Sequence, residues 1–172
     1  MKRLLFISAI FFVGCSSVTI TSNCDKNANF NDYKTYSFAP SENGTNSLHP
    51  EYDNLANRKL IQQAISNELA NIGYSLSEVK ADLLIKYDLI VTEMVDPRVD
   101  SAVIYKPWVD TQIDSFNYTE GLLIIRMIDQ QKGNLIWQGS LSGVLNKEPD
   151  KFGNKLDKYV ANLFQALREH MQ

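Results

Sequence analysis

Thr119–Leu145, TEGLLIIRMIDQQKGNLIWQGSLSGVL, decides the fold. Its apolar residues alternate, the mark of strands with one buried face. In a first arm Leu123, Ile125 and Met127 share one face, and Leu122, Ile124, Arg126 and Ile128 the other. In a second arm Leu135, Trp137 and Leu141 share a face, and Gln138, Ser140 and Ser142 oppose them. The link from Asp129 to Asn134 is polar, and Gly133 can take the positive φ that closes such a turn. The stretch therefore predicts a β-hairpin. Gly139 and Gly143 fall on the Trp137 face, where a missing side chain lets another backbone, expected to be a helix, come close. A membrane-spanning reading fails, because Arg126 and Asp129 interrupt an apolar run far shorter than about 20 residues.

Outward from the hairpin, Ala81–Thr92 alternates as well. Leu83, Ile85, Tyr87, Leu89 and Val91 face one way, and Asp82, Lys86, Asp88 and Thr92 the other, as in a strand with one buried and one wetter face. Before it, Asp53 or Asn54 can cap a helix running to about Ile72, with Ile61, Ile65, Leu69 and Ile72 in helical register and Gly73 just past its end. Tyr36 and its neighbours predict a strand over Lys34–Phe38, ended by Pro40. After the hairpin, Phe152, Leu156, Val160, Leu163 and Leu167 form the stripe of a second helix from about Asp150 to Glu169. Glu93–Tyr118 has neither period, and reads as a long excursion or an irregular hairpin. The order is β-α-β-β-β-α. It predicts an α+β two-layer sandwich, a largely antiparallel sheet of about four strands with two helices on one face.

The 172 residues suffice for one domain of ordinary size, placed at 30–172. Residues 1–14 read as a signal peptide, with basic Lys2 and Arg3 before an apolar run from Leu4 to Val13. Phe12-Val13-Gly14-Cys15 resembles a bacterial lipobox, with Phe12 where Leu is usual. The resemblance implies cleavage before Cys15, a diacylglycerol on its sulfur and an acyl chain, such as palmitate, on its new amine. Several acyl chains anchor far more firmly than one. Ser16 rather than Asp after the cysteine points, by the sorting rule of enteric bacteria, to the outer membrane, with the domain in the periplasm. Residues 15–29 read as the lipidated cysteine and a flexible polar tether. With Cys15 acylated, Cys24 has no intramolecular partner.

The formal net charge is −3, and removing Lys2 and Arg3 leaves 15 basic against 20 acidic side chains. No basic cluster is present, which argues against nucleic acid as a partner. His49 and His170 lack neighbours at metal-ligand spacing and read as solvated, and no nucleophile elbow, P-loop or dinucleotide fingerprint is found. The sequence gives no reason to expect catalytic, cofactor-binding or metal-ligating residues. Asp96 with Asp100, or Asp110 with Asp114, could bind Ca²⁺, although the regular ligand spacing of a calcium loop is absent, or act as acid and base in a hydrolase with a dispersed site. Tyr105, Trp108, Phe116 and Tyr118 in the excursion are the candidates for partner contact, since Trp and Tyr are enriched at interface hot spots.

Several pieces together resemble the domain-of-unknown-function 4136 family of bacterial lipoproteins. They are Phe30-Asn31-Asp32-Tyr33-Lys34-Thr35-Tyr36-Ser37-Phe38, Gly73-Tyr74, Ala81-Asp82-Leu83-Leu84-Ile85 with Tyr87, Glu120–Ile125 leading to Asp129, and Leu135-Ile136-Trp137-Gln138-Gly139. The resemblance spans about Asn29 to the C-terminus. It departs in the last helix, where Ala166-Leu167-Arg168 stands in place of the family's usual Phe-Pro. It implies a lipidated envelope domain and supplies no catalytic residues. The expectation is therefore a non-enzymatic, lipid-anchored module that holds an envelope protein or glycan near the membrane. The alternative is a small-ligand or lipid-binding module using the uncovered sheet face.

Overall fold

The computed structural model describes residues 18–40, 48–98, 114–145 and 148–171; for residues 96–98, 114–116 and 150 it describes the backbone alone. Six strands form one mixed sheet in the order β1-β6-β5-β4-β2-β3. They are β1 (Thr19–Cys24), β2 (Thr35–Phe38), β3 (Ser75–Leu76), β4 (Leu83–Arg98), β5 (Asp114–Asp129) and β6 (Leu135–Val144). Helices α1 (Leu55–Asn71) and α2 (Leu156–His170) pack over one face. β2 runs parallel to both β3 and β4, while β1, β6, β5 and β4 pair antiparallel.

The predicted hairpin is β5–β6, and Gly133 closes its turn at φ +73°. Leu123, Ile125 and Met127 are buried as expected. One detail differs in the second arm. A bulge between Met127 and Ile128 puts Trp137 opposite Met127 and Leu135 opposite Ile128. Ile136 and Trp137 are both buried, whereas Leu135 is 47% exposed.

Two strands escaped the sequence reading, so the count of about four is corrected to six. β1 occupies residues read as tether. It alternates exposed and half-buried positions, pairs Thr19 with Ser142 and Cys24 with Trp137, and adds an edge to β6. Its inward positions are Ile20, Ser22 and Cys24. Only one of them is strongly apolar, which hid the alternation. β3 is two residues long, too short to carry a pattern.

The excursion is also more regular than expected. β4 and β5 stay paired from Leu83–Asp129 to Arg98–Asp114, so residues 93–98 and 114–119 form a two-stranded arm beyond the end of β6. Six residues at about 3.3 Å each carry the arm roughly 20 Å past that end. Pro97 is tolerated in β4 because, among the described residues, β2 pairs with Leu83–Ile85 alone and leaves the rest of that edge open.

Asn54 caps α1, its Oδ1 accepting from Asn57 N–H at 3.0 Å. Asp53, the other capping candidate, instead pairs with Arg58 at 2.6 Å. Gly73, at φ +91°, ends α1 and lets Tyr74 N–H bond Leu69 O at 2.9 Å. The second helix begins later than predicted: Pro149–Lys155 is a 3-10 turn, and α2 follows. Arg168 of α2 bonds Glu68 of α1 at 2.8 Å, tying the helices together.

Gly139 is closely covered, though by side chains and not by the helix backbone expected there. A Cβ there would lie 2.6 Å from the Trp137 ring and 2.7 Å from Leu163 of α2. The Trp137 ring leans on Phe164 with centroids 5.4 Å apart, and its Nε1 donates to Ser22 Oγ at 2.9 Å.

Two carboxylates staple the sheet. Asp82 Oδ2 accepts from Lys34 N–H, Thr35 N–H and Thr35 Oγ1 at 2.8–2.9 Å, fixing β2 beside β4. Asp129 accepts from Gln131 N–H, Lys132 N–H and the buried Tyr33 hydroxyl at 2.9–3.0 Å, fixing the hairpin turn. Hydrogen bonds hold both carboxyls below their ordinary range, led by Lys34 N–H for Asp82 and by Lys132 N–H for Asp129. The sign follows from the direction. These groups contribute fully above the unfolded value, about 3.9, and lose that contribution as pH falls through their lower folded values. Thermal melts followed by circular dichroism should thus show a steady Tm from pH 7 to about 5 and a steep fall below about 4. Asp129→Asn should melt lower at pH 7 and lose less on acidification. An acid limb unchanged by that substitution would refute the assignment.

Candidate functional site

A cavity of about 350 Å³ opens at one end of the space between sheet and helices. That volume lies at the lower end of the range of small-molecule sites. Its wall is assembled from distant parts of the chain: Val18 before β1, Leu89 of β4, Leu123 of β5, Leu141 of β6, Phe152 of the 3-10 turn and Leu156 of α2. Each lies on the helix side of its strand or on the sheet side of its helix, so the cavity is the unfilled end of the core.

Gly143 and Ser142 also line it, where a larger residue would narrow the space. Gly121 is held differently: a Cβ there would lie 2.8 Å from Leu145, which closes the cavity's edge. Lys151 and Lys155 line the cavity and are exposed, so they stand at its rim. Lys151 pairs with Glu148. Lys155 forms no ion pair among the described residues. The cavity thus combines an apolar wall with a cationic rim.

The strand register places this end of the sheet. Val18 precedes Thr19, which is level with Ser142, and Val144 is level with Glu120. The β4–β5 arm projects from the same end. Met94 and Val95 on it are 36% and 63% exposed.

The opposite sheet face, expected to be a mixed surface, carries half-buried Leu84, Leu122, Ile124 and Ile128. Arg126 on it bonds both Asp88 and Gln138, and Lys86 beside them is exposed. The cavity lies on the helix side and not on this face.

Of the residues singled out in the sequence, Cys15, Tyr105, Trp108, Asp100 and Asp110 lie outside the described residues. Phe116 and Tyr118 sit on the arm strand β5, with Phe116 opposite Asp96 and Tyr118 opposite Met94. The backbone of Asp114 is level with that of Arg98 across the arm. Cys24, at the end of β1, is a free thiol whose pKa burial and the neighbouring Asp25 push up, so it is a poor nucleophile. His49, expected to be solvated, is in fact largely covered and lies 3.1 Å from Glu51. His170 is exposed at the end of α2.

Among the described residues no three His, Cys, Asp or Glu side chains gather as metal ligands would. Among them, too, no helix is long and apolar enough to cross a membrane. The cavity itself was missed by sequence reading. Its residues are separated by up to 141 positions, and the apolar ones each read singly as core.

The fold and cavity define a class: an α+β domain whose mixed sheet is covered on one face and whose core opens at one end. The chain belongs to the family described as Domain of unknown function (DUF4136), which it matches over residues 20–167. No curated protein matches the sequence. Among solved structures, a PDZ domain protein from Parabacteroides distasonis is similar at 14% identity and TM-score 0.51, covering 85% of this chain. The chain spans 35% of that protein's length, and the likeness concerns the fold alone. A PelC dodecamer from Paraburkholderia phytofirmans matches at 11% identity and TM-score 0.48, over 88% of this chain and 97% of its own. A minor lipoprotein from Acinetobacter baumannii matches at 11% identity and TM-score 0.41, over 81% of this chain and 93% of its own.

Proposed function

We propose that this protein is a lipid-anchored module of the bacterial cell envelope that binds its partner without transforming it. The observation that carries the reading is the sequence Phe12-Val13-Gly14-Cys15, joined to a domain whose first strand begins only four residues later. Four residues span at most about 14 Å, so an acylated Cys15 holds the domain close against its membrane. The outer membrane, with the domain in the periplasm, is the location that Ser16 favours.

The ionisable groups support binding over catalysis. Asp53, Asp82, Asp88 and Asp129 are each engaged in local structure by Arg58, Thr35, Arg126 and Tyr33 respectively. The partner is an envelope protein or a glycan, met by the arm and by Tyr105, Trp108, Phe116 and Tyr118. The arm supplies the reason for that side: it stands clear of the sheet and exposes Met94 and Val95.

Crosslinking in intact cells, followed by mild extraction and mass spectrometry, tests the reading. A specific adduct that falls at least fivefold in Trp108→Ala is expected. An adduct pattern that Trp108→Ala and Tyr118→Ala leave unchanged would reject the arm as the contact surface.

A further inference from the structure

We infer that the end cavity is a lipid-chain site: it takes the acyl chain of an anionic membrane phospholipid, with Lys151 and Lys155 at the phosphate. The orientation of the cavity toward the bilayer rests on the proposed Cys15 anchor.

Chain length supplies the first argument. Val18 lines the cavity and is three residues from Cys15, at most about 11 Å along the chain. The polar layer on each side of a bilayer is about 5–8 Å deep, half the difference between total and hydrocarbon thickness. The acylated residue therefore keeps this cavity wall within about 11 Å of the bilayer surface, a distance that a phospholipid's acyl chain can reach.

Chemistry supplies the second. The wall is apolar, with Val18, Leu89, Leu123, Leu141, Phe152 and Leu156 facing the space. At about 30 Å³ each, the volume of a liquid water molecule, roughly a dozen methylene-sized units fill it. The only charged side chains among the described lining residues are two lysines, in a chain whose overall charge is negative. Cations at the edge of an apolar slot match a lipid with a phosphate above its chain, and are drawn to an anionic membrane surface. Glu148 already shares Lys151, while Lys155 forms no ion pair among the described residues.

The test uses the full protein purified from membranes and reconstituted in nanodiscs. The probe is phosphatidylglycerol carrying a diazirine along one acyl chain. Photolysis should label the peptides that carry Leu141–Leu145 and Phe152–Tyr159. Lys151→Glu with Lys155→Glu, both exposed, should cut that labelling at least fivefold, and a phosphatidylcholine probe should label correspondingly less. Leu89→Trp, which fills the space, should abolish labelling there. Labels confined to other surfaces, or unaffected by the lysine reversals, would overturn the site. Labelling seen only in Cys15→Ser protein, and blocked in the acylated protein, would overturn the phospholipid as occupant and assign the cavity to the anchor's own chain. Intact mass on the same preparation reads acylation at Cys15 separately, so loss of the anchor and loss of the cavity site are told apart.

Discussion

Trp137→Ala is expected to cost about 3–5 kcal/mol of stability, as large aromatic truncations in a closed core do. For a chain of this size that corresponds to a fall in Tm of roughly 6–20 °C. The side chain is fully buried, leans on Phe164 and donates to Ser22 Oγ. Its loss opens a void next to Gly139, which has no side chain to move into it, and leaves Leu163 without its neighbour. It also unpins β1, whose Ser22 it holds. Leu135→Ala is the contrast. The two positions share a face in the simple alternation, but the bulge leaves Leu135 47% exposed. Its truncation should cost less than about 1 kcal/mol. Paired thermal melts check both, and equal losses would contradict the bulged register.

Cys15→Ser is expected to have the largest effect on where the protein resides. The proposed diacylglycerol and further acyl chain on one residue, at about 0.8 kcal/mol per buried methylene, would give stable attachment, whereas a single chain binds marginally and reversibly. Cells fed a clickable fatty acid should label the wild-type protein strongly and the variant not at all. Cys15 lies outside the described residues and ahead of β1, and the variant's circular dichroism should be unchanged. Label persisting on Cys15→Ser would place acylation elsewhere and remove the basis for anchoring.

Much of this architecture was legible in the sequence because its central elements obey strong periods. Leu123-Ile125-Met127 and Ile61-Ile65-Leu69 each occupy a face that a core must cover, and both are buried. Gly73 and Gly133 sit where positive φ is needed, and both adopt it. Gly139 signalled a close approach, and α2 supplies it through Leu163. The failures have equally local causes. β1 is an edge strand, so Thr19, Thr21 and Asn23 face water and Ile20 alone strongly marks the inner side. A reading that weighed Val18, Ile20 and Cys24 as an alternating set could have found it. The bulge at β6 breaks the period by one residue, which alternation cannot anticipate. The arm was obscured by Pro97, a residue that suits an open edge. The cavity depends on how the ends of β1, β4, β5, β6 and α2 meet, a property of the assembled layers with no trace in any one segment.

Membrane anchoring depends most directly on the chemical state of residue 15. Intact mass spectrometry of the protein extracted from membranes should give a chain that begins at Cys15 and carries a diacylglycerol and one further acyl chain. The unmodified 172-residue chain, or a cleaved chain without lipid, would contradict it.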